Sequence, residues 1–160
     1  RLDHPRRALA RRLARAAGSA GRDSDNWRRR PAALAAKSTD PTLVPDLLET
    51  LRDMEADIAA RTLPIRGDRA FHIRIAQASD NSALQAVVTQ LFDERNGPLF
   101  QKLGGHFERE ATWKAAVDEH RAVVDAIAAH DPDMARAAMS GHLDHSHERF
   151  SAGWTTPTDA

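Results

Sequence analysis

Cysteine and tyrosine are both missing from this 160-residue sequence. Without cysteine there are no disulfides and no thiolate metal sites, so any metal chemistry falls to nitrogen and oxygen donors. No run of 18 or more apolar residues occurs and no charged-then-apolar leader opens the chain. Neither a membrane span nor a secretory signal is therefore visible, and the expectation is a soluble, cytoplasmic protein with no membrane partner. No stretch of four to eight residues alternates apolar and polar in a β-branched run, which argues against strands. Net charge is also lacking, at zero, but that value hides an asymmetry: residues 1–30 hold ten Arg against Asp3, Asp23 and Asp25. The rest of the chain is correspondingly acidic and a poor nucleic-acid binder by itself.

The residues that are present favour helices. Hydrophobic residues make up 41% and charged residues 29%, with Ala, Leu, Arg and Glu abundant, and a chain of this length buries roughly two-thirds of its unfolded surface in one core. The spacing of Leu9 and Leu13 predicts a short basic helix from Arg6 to Ala17, broken by Gly18-Ser19-Ala20-Gly21. A second helix follows from Trp27 to Lys37. Thr39-Asp40-Pro41 offers a cap and a first-turn proline for a third, which runs to about Ala60 and buries Leu43, Leu47, Leu48, Leu51, Met54 and Ile58. Leu63 to Gly67 reads as a break before a short helix, Asp68 to Ala78. Asn81 caps the next, with Leu84, Val87, Val88, Leu91 and Phe92 inward until Asn96-Gly97-Pro98 ends it and Gly104-Gly105 closes the segment. From about Phe107 to Ala129 the apolar set is Trp113, Ala116, Val117, Val123, Val124 and Ile127, and Asp131-Pro132 caps a last helix to about Phe150. The fold expected is all-α, an antiparallel bundle of about six to seven helices around a central metal or ligand site. Residues 1–26 form a basic helix and loop, 27–152 the bundle, and 153–160 a frayed tail.

Asp68 and His72 stand four apart, on one face of their helix, so both could bind one ion without backbone movement. A surface Asp–His pair has the same spacing, and the pair alone does not decide. His120 sits on the apolar stripe of Ala116, Val117, Val124 and Ile127, where an imidazole is costly unless partnered. His142 shares a face with Ala135, Ala138 and Met139, small enough to let a neighbouring helix approach. Together Asp68, His72, His120 and His142 make a mixed nitrogen and oxygen site suited to a divalent ion, zinc first and nickel, manganese or iron after it, with room for water or an anion. His145, one turn beyond His142, is the competing last ligand. His4, His106, His130 and His147 lie near helix ends or on polar faces.

These residues carry a resemblance. Asp68 to His72 within DRAFH, Ala78-Ser79-Asp80-Asn81, Glu119 to Ile127, Asp131, Ala135, Ala138-Met139 and His142-Leu143 resemble the FCD effector domain, the C-terminal half of FadR-subfamily GntR transcription regulators. The spacings, 48 residues from His72 to His120 and 22 from His120 to His142, are similar to those of its metal-binding members. Residues 27–150 carry the likeness, and Ser24 and Arg28 stand where the family usually has an arginine and a glutamate. The resemblance implies that Asp68, His72, His120 and His142 hold a divalent metal whose coordination a small carboxylate completes, with Asn81 carried as a candidate effector contact. It also implies a homodimer that reaches operator DNA through an N-terminal winged helix-turn-helix head, and nothing in this chain reads as that head. The basic run Arg28-Arg29-Arg30 reads rather as a solvated face or an interdomain contact.

Two other readings compete. A metal-dependent hydrolase would need a general base at the ion, but Glu119 is turned about 100° around the helix from His120 and no HExxH pattern occurs. A purely structural dimerisation module would keep its histidines satisfied in the core.

Overall fold

The computed structural model describes residues 26–95, 97 and 110–152. Within them the chain forms six helices and no strand: α1 (Asn26–Ala35), α2 (Leu43–Ala59), α3 (Ile65–Ala78), α4 (Ser82–Arg95), α5 (Glu110–Ala128) and α6 (Pro132–Ala152). The expected all-α class is thus what is seen. The helix expected over Arg6–Ala17, the Gly104-Gly105 break and the tail from 153 lie outside the described residues. Among the described residues no helix is long and apolar enough to cross a membrane.

Leu43, Leu47, Leu51, Met54 and Ile58 recur every three to four residues of α2 and are all buried, as a helix with one apolar stripe requires. They meet Phe71 and Ile75 of α3, and Trp113, Ala116, Val117, Val123, Val124 and Ile127 of α5, in one core. Alanine does the packing on α1: Ala32, Ala35 and Ala36 are at most 1% exposed, and their small side chains let α1 lie close against α6 and α3. His130, at the left-handed φ of 52° that ends α5, donates from Nδ1 to the Ala36 carbonyl at 3.0 Å and fastens α5 to the end of α1. Asp131 caps α6 as expected, its Oδ1 accepting the amides of Asp133 and Met134 at 3.1 and 2.9 Å.

Three expectations are corrected. Helix α2 starts at Leu43 rather than Pro41, because Asp40 Oδ1 accepts the Thr42 amide at 2.9 Å in a turn that precedes the helix. Helix α3 starts at Ile65, before Gly67 rather than after it, with the Asp68 amide already bonded to the Pro64 carbonyl at 3.1 Å. On α4 the inward stripe is narrower than the apolar pattern suggests. Val88 is buried whereas Val87 is 45% exposed, because α4 packs mainly against α3 and turns its other sides outward.

Candidate functional site

Gly67 explains how the site is positioned. A Cβ there would stand 2.6 Å from Met54 Cγ and 2.8 Å from the Thr50 carbonyl oxygen. Only glycine lets α3 approach α2 this closely, and the approach carries the next residue, Asp68, into the interior. Asp68 and His72 lie one turn apart on α3, His120 near the middle of α5 and His142 near the middle of α6. Packing of α5 against α6, and of α3 against α2, which itself packs on α5, brings the three helices to one point.

All four side chains are buried: Asp68 is 4% exposed, His72 7%, His120 0% and His142 5%. Each offers one ligand atom, and these atoms lie within 4.8 Å of one another. His120 Nε2 is 3.3 Å from His72 Nε2 and 3.1 Å from His142 Nε2. Asp68 Oδ1 is 3.7 Å from His72 Nε2 and 3.5 Å from His120 Nε2. Ligands at bond lengths of about 2.0–2.1 Å around a tetrahedral ion stand roughly 3.3 Å apart, so these separations are close to those that a bound ion would require. One hydrogen on His120 Nε2 can face only one of its neighbours at a time; a cation faces all of them.

Other features point the same way. His120 Nδ1 is buried with no hydrogen-bond partner among the described residues, so this ring is held by packing, with Phe71 tilted against it at 4.3 Å between centroids. His72 stacks on Phe92 at 4.5 Å. Burial drives His72 well below the ordinary histidine range, with the charges of His142 and Arg95 adding to it. Burial does the same to His120, reinforced by His142, His72, Arg95 and Arg149. Neutral imidazoles are the form that ligates a metal. The second oxygen of Asp68 accepts Arg95 Nη1 at 3.3 Å, so the carboxylate joins the donor cluster on one side and a guanidinium on the other.

The expected site residues fall into place as follows. Asp68, His72, His120 and His142 come together. His145 stays outside, its side chain 57% exposed and its Nδ1 bonded to Glu119 at 3.0 Å. Asn81 is exposed, and its Oδ1 accepts the Leu84 amide at 3.0 Å, the helix cap that the sequence suggests. Arg74 turns away from the cluster to bond Asp46 and Asp40 at 2.9 and 2.5 Å. Sequence reasoning missed Glu119. Its carboxylate accepts His142 Nδ1 at 2.9 Å, His145 Nδ1 at 3.0 Å and both Arg149 Nη atoms at 2.8 and 2.9 Å. Burial alone would raise the Glu119 carboxyl, but the bonds from Arg149 and His142 outweigh it and hold it at about 2. The available signal was the face that His142, His145 and Arg149 share on α6, a row of donors calling for an acid on the helix opposite.

Fold and site together define a class: an all-α domain with a polar, convergent centre, the architecture of a ligand-binding domain. The family model described as the FCD domain matches residues 30–145. Among curated proteins the chain is similar to the Exu regulon transcriptional regulator of Escherichia coli K12, 34% identical over 49% of this chain and 31% of that protein. It is also similar to the Uxu operon transcriptional regulator of the same strain, 29% identical over 74% of this chain and 46% of that protein. The chain thus spans less than half the length of these relatives. Among solved structures, E. coli McbR/YncC superposes with a TM-score of 0.71 at 16% identity, over 84% of this chain and 68% of that one, which bears on the fold alone. The chain belongs to the FCD domain family, the effector-binding and non-catalytic part of GntR-type transcriptional regulators.

Proposed function

We propose that this domain senses a small organic acid through a divalent metal held by Asp68, His72, His120 and His142, and that the occupied site adjusts DNA binding by an N-terminal winged helix-turn-helix head. The observation that carries the reading is the convergence of four buried donors from three helices within 4.8 Å. When bound, the metal supplies positive charge and open coordination positions. One Asp68 carboxylate offsets half of a divalent charge, and Arg95 stands beside it at 3.3 Å. The buried centre is left electropositive, which favours an anion over a neutral ligand. Zinc suits three imidazoles and one carboxylate best, with nickel, manganese and iron compatible with the same donors.

The domain works as a homodimer in the cytoplasm. Ligand occupancy biases the dimer between two arrangements and so changes the spacing of two DNA-reading heads on operator DNA. The test is a native mass spectrum of protein purified without added metal, followed by melting with small carboxylates. The expected result is about one divalent ion per chain and a Tm that citrate-like or lactate-like acids raise only in the metal-loaded protein. A metal-free protein whose melting ignores both chelator and acids would instead mark a structural dimerisation module.

A further inference from the structure

We propose that Glu119 is the positioning residue that sets His142 for the metal, so that α5 supplies one ligand, His120, and with the adjacent residue orients the ligand that α6 supplies. This inference rests on the metal-binding reading above.

A neutral imidazole carries its hydrogen on either nitrogen, and only the form with a bare Nε2 can ligate through that atom. An ionised carboxylate has lone pairs and no hydrogen to give, so in the 2.9 Å contact between His142 Nδ1 and Glu119 Oε2 the ring must donate. That fixes the hydrogen on Nδ1 and leaves His142 Nε2 bare, 3.1 Å from His120 Nε2. In the opposite tautomer a hydrogen would occupy the place of the ion. The other ring on this edge has no such control: His120 Nδ1 is buried and unpartnered among the described residues, and packing alone holds it.

Glu119 is itself immobilised. Arg149 grips it with two parallel bonds at 2.8 and 2.9 Å, and His145 donates at 3.0 Å. With His142 these make four donors on the roughly four lone-pair positions of a carboxylate. Residues 142, 145 and 149 follow one another at helical spacing on one face of α6. The carboxylate therefore cannot rotate away from His142 without releasing Arg149. A carboxylate behind a metal-binding histidine typically sustains 10–100-fold of the metal affinity. A glutamate that merely stitched α5 to α6 would sustain none beyond its effect on folding.

The two roles separate in one experiment on the purified protein: Co²⁺ titration against a competing chelator, the visible absorption of the Co²⁺ form, and Tm in chelator, for wild type, Glu119→Gln, Arg149→Met and His145→Ala. Gln turns an amide N–H toward one of four donors and removes the charge. The expected result is a Co²⁺ Kd raised about 10–100-fold in Glu119→Gln with an altered absorption band. Arg149→Met, which frees the carboxylate to rotate, and His145→Ala, which removes one of its four donors, should each raise Kd by less than Glu119→Gln does. A Kd for Glu119→Gln within about threefold of wild type overturns the proposal. So does a weakening in Glu119→Gln that comes with an unaltered Co²⁺ absorption band, which would mean stitching. If Glu119→Gln does not fold, Glu119→Asp, which keeps the charge but draws the carboxylate back from the ring, is read by the same criteria. Wild-type protein that takes up no Co²⁺ is a different result, which removes the metal reading and this inference with it.

Discussion

His120 and His142 face each other through Nε2 at 3.1 Å in the interior, with His120 fully buried and its far nitrogen unpartnered among the described residues. Two bare lone pairs at that distance repel, so the pair is favourable only with a hydrogen or a cation between its members. The apo protein therefore gains little from His120, whereas a metal-loaded protein would gain much. At an ion concentration a thousandfold above Kd, wild type should gain about 4 kcal/mol. His120→Ala should lose that increment while its Tm in chelator falls by less than the increment itself. Melting curves with and without chelator check this, and a variant that keeps its metal-dependent rise removes His120 from the ligand set.

Acid should destabilise the protein in a defined window. Burial, then neighbouring positive charge, holds His72 and His120 well below their ordinary value, whereas in the unfolded chain each titrates near about 6.5. Below that pH the unfolded chain binds protons that the folded one refuses, so stability is fully present above about 6.5 and falls as pH drops, by about 1.4 kcal/mol per pH unit for each such proton. Glu119, held at about 2 rather than 4.5, loses its contribution only as pH falls below about 4.5, outside this window. Tm in chelator measured from pH 8 to 5 should be level and then fall. A Tm that rises over the acid half of that range contradicts the assignment, and metal should protect best above it, because protons compete for the same nitrogens.

How much of this was legible in the sequence depends on whether the information was local. His120 could be picked out because its stripe partners Ala116, Val117, Val124 and Ile127 share its helix, and His142 because Ala135, Ala138 and Met139 share its own. Six of these seven partners are buried as expected, Ala138 being half-buried, and so is the stripe of α2 apart from the half-buried Leu48. Gly67 reads locally as a breaker, yet it lies inside α3 because its function is to fit against Met54, 13 positions earlier. A helical wheel turns Glu119 away from His120. Its partners are 23, 26 and 30 residues downstream on α6, and no pattern within α5 points to them. Val87 was expected inside because apolar spacing shows which side of a helix could be buried, not how many neighbours it has.

The Gly67 contact gives a stability test with a sign opposite to helix propensity. Alanine in a helix interior is favoured over glycine by about 1 kcal/mol. At this position its Cβ would meet Met54 Cγ at 2.6 Å and the Thr50 carbonyl oxygen at 2.8 Å. The methionine can swing aside, but the carbonyl belongs to α2 and cannot, so overpacking of about 1–3 kcal/mol should prevail. Gly67→Ala is expected to lower stability in urea denaturation and, by displacing α3, to weaken metal uptake as well. A variant more stable than wild type would mean that α3 and α2 lie further apart.

Asp68 separates the needs of the metal from those of the bare fold. Its Oδ1 lies 3.5 and 3.7 Å from two imidazole nitrogens, and its Oδ2 accepts Arg95 at 3.3 Å. Asn in its place keeps the shape and can turn its amide nitrogen inward, donating to the lone pairs of His120 or His72 while its oxygen keeps Arg95. The metal-free Asp68→Asn protein should therefore melt at or above the wild-type temperature. The same change removes the only carboxylate of the set and puts a hydrogen donor where a cation must sit, so metal affinity should fall roughly a hundredfold, about 2.7 kcal/mol. Opposite movements of apo Tm and metal affinity are the signature of a group retained for binding. If both fall together, Asp68 instead serves the fold, through Arg95.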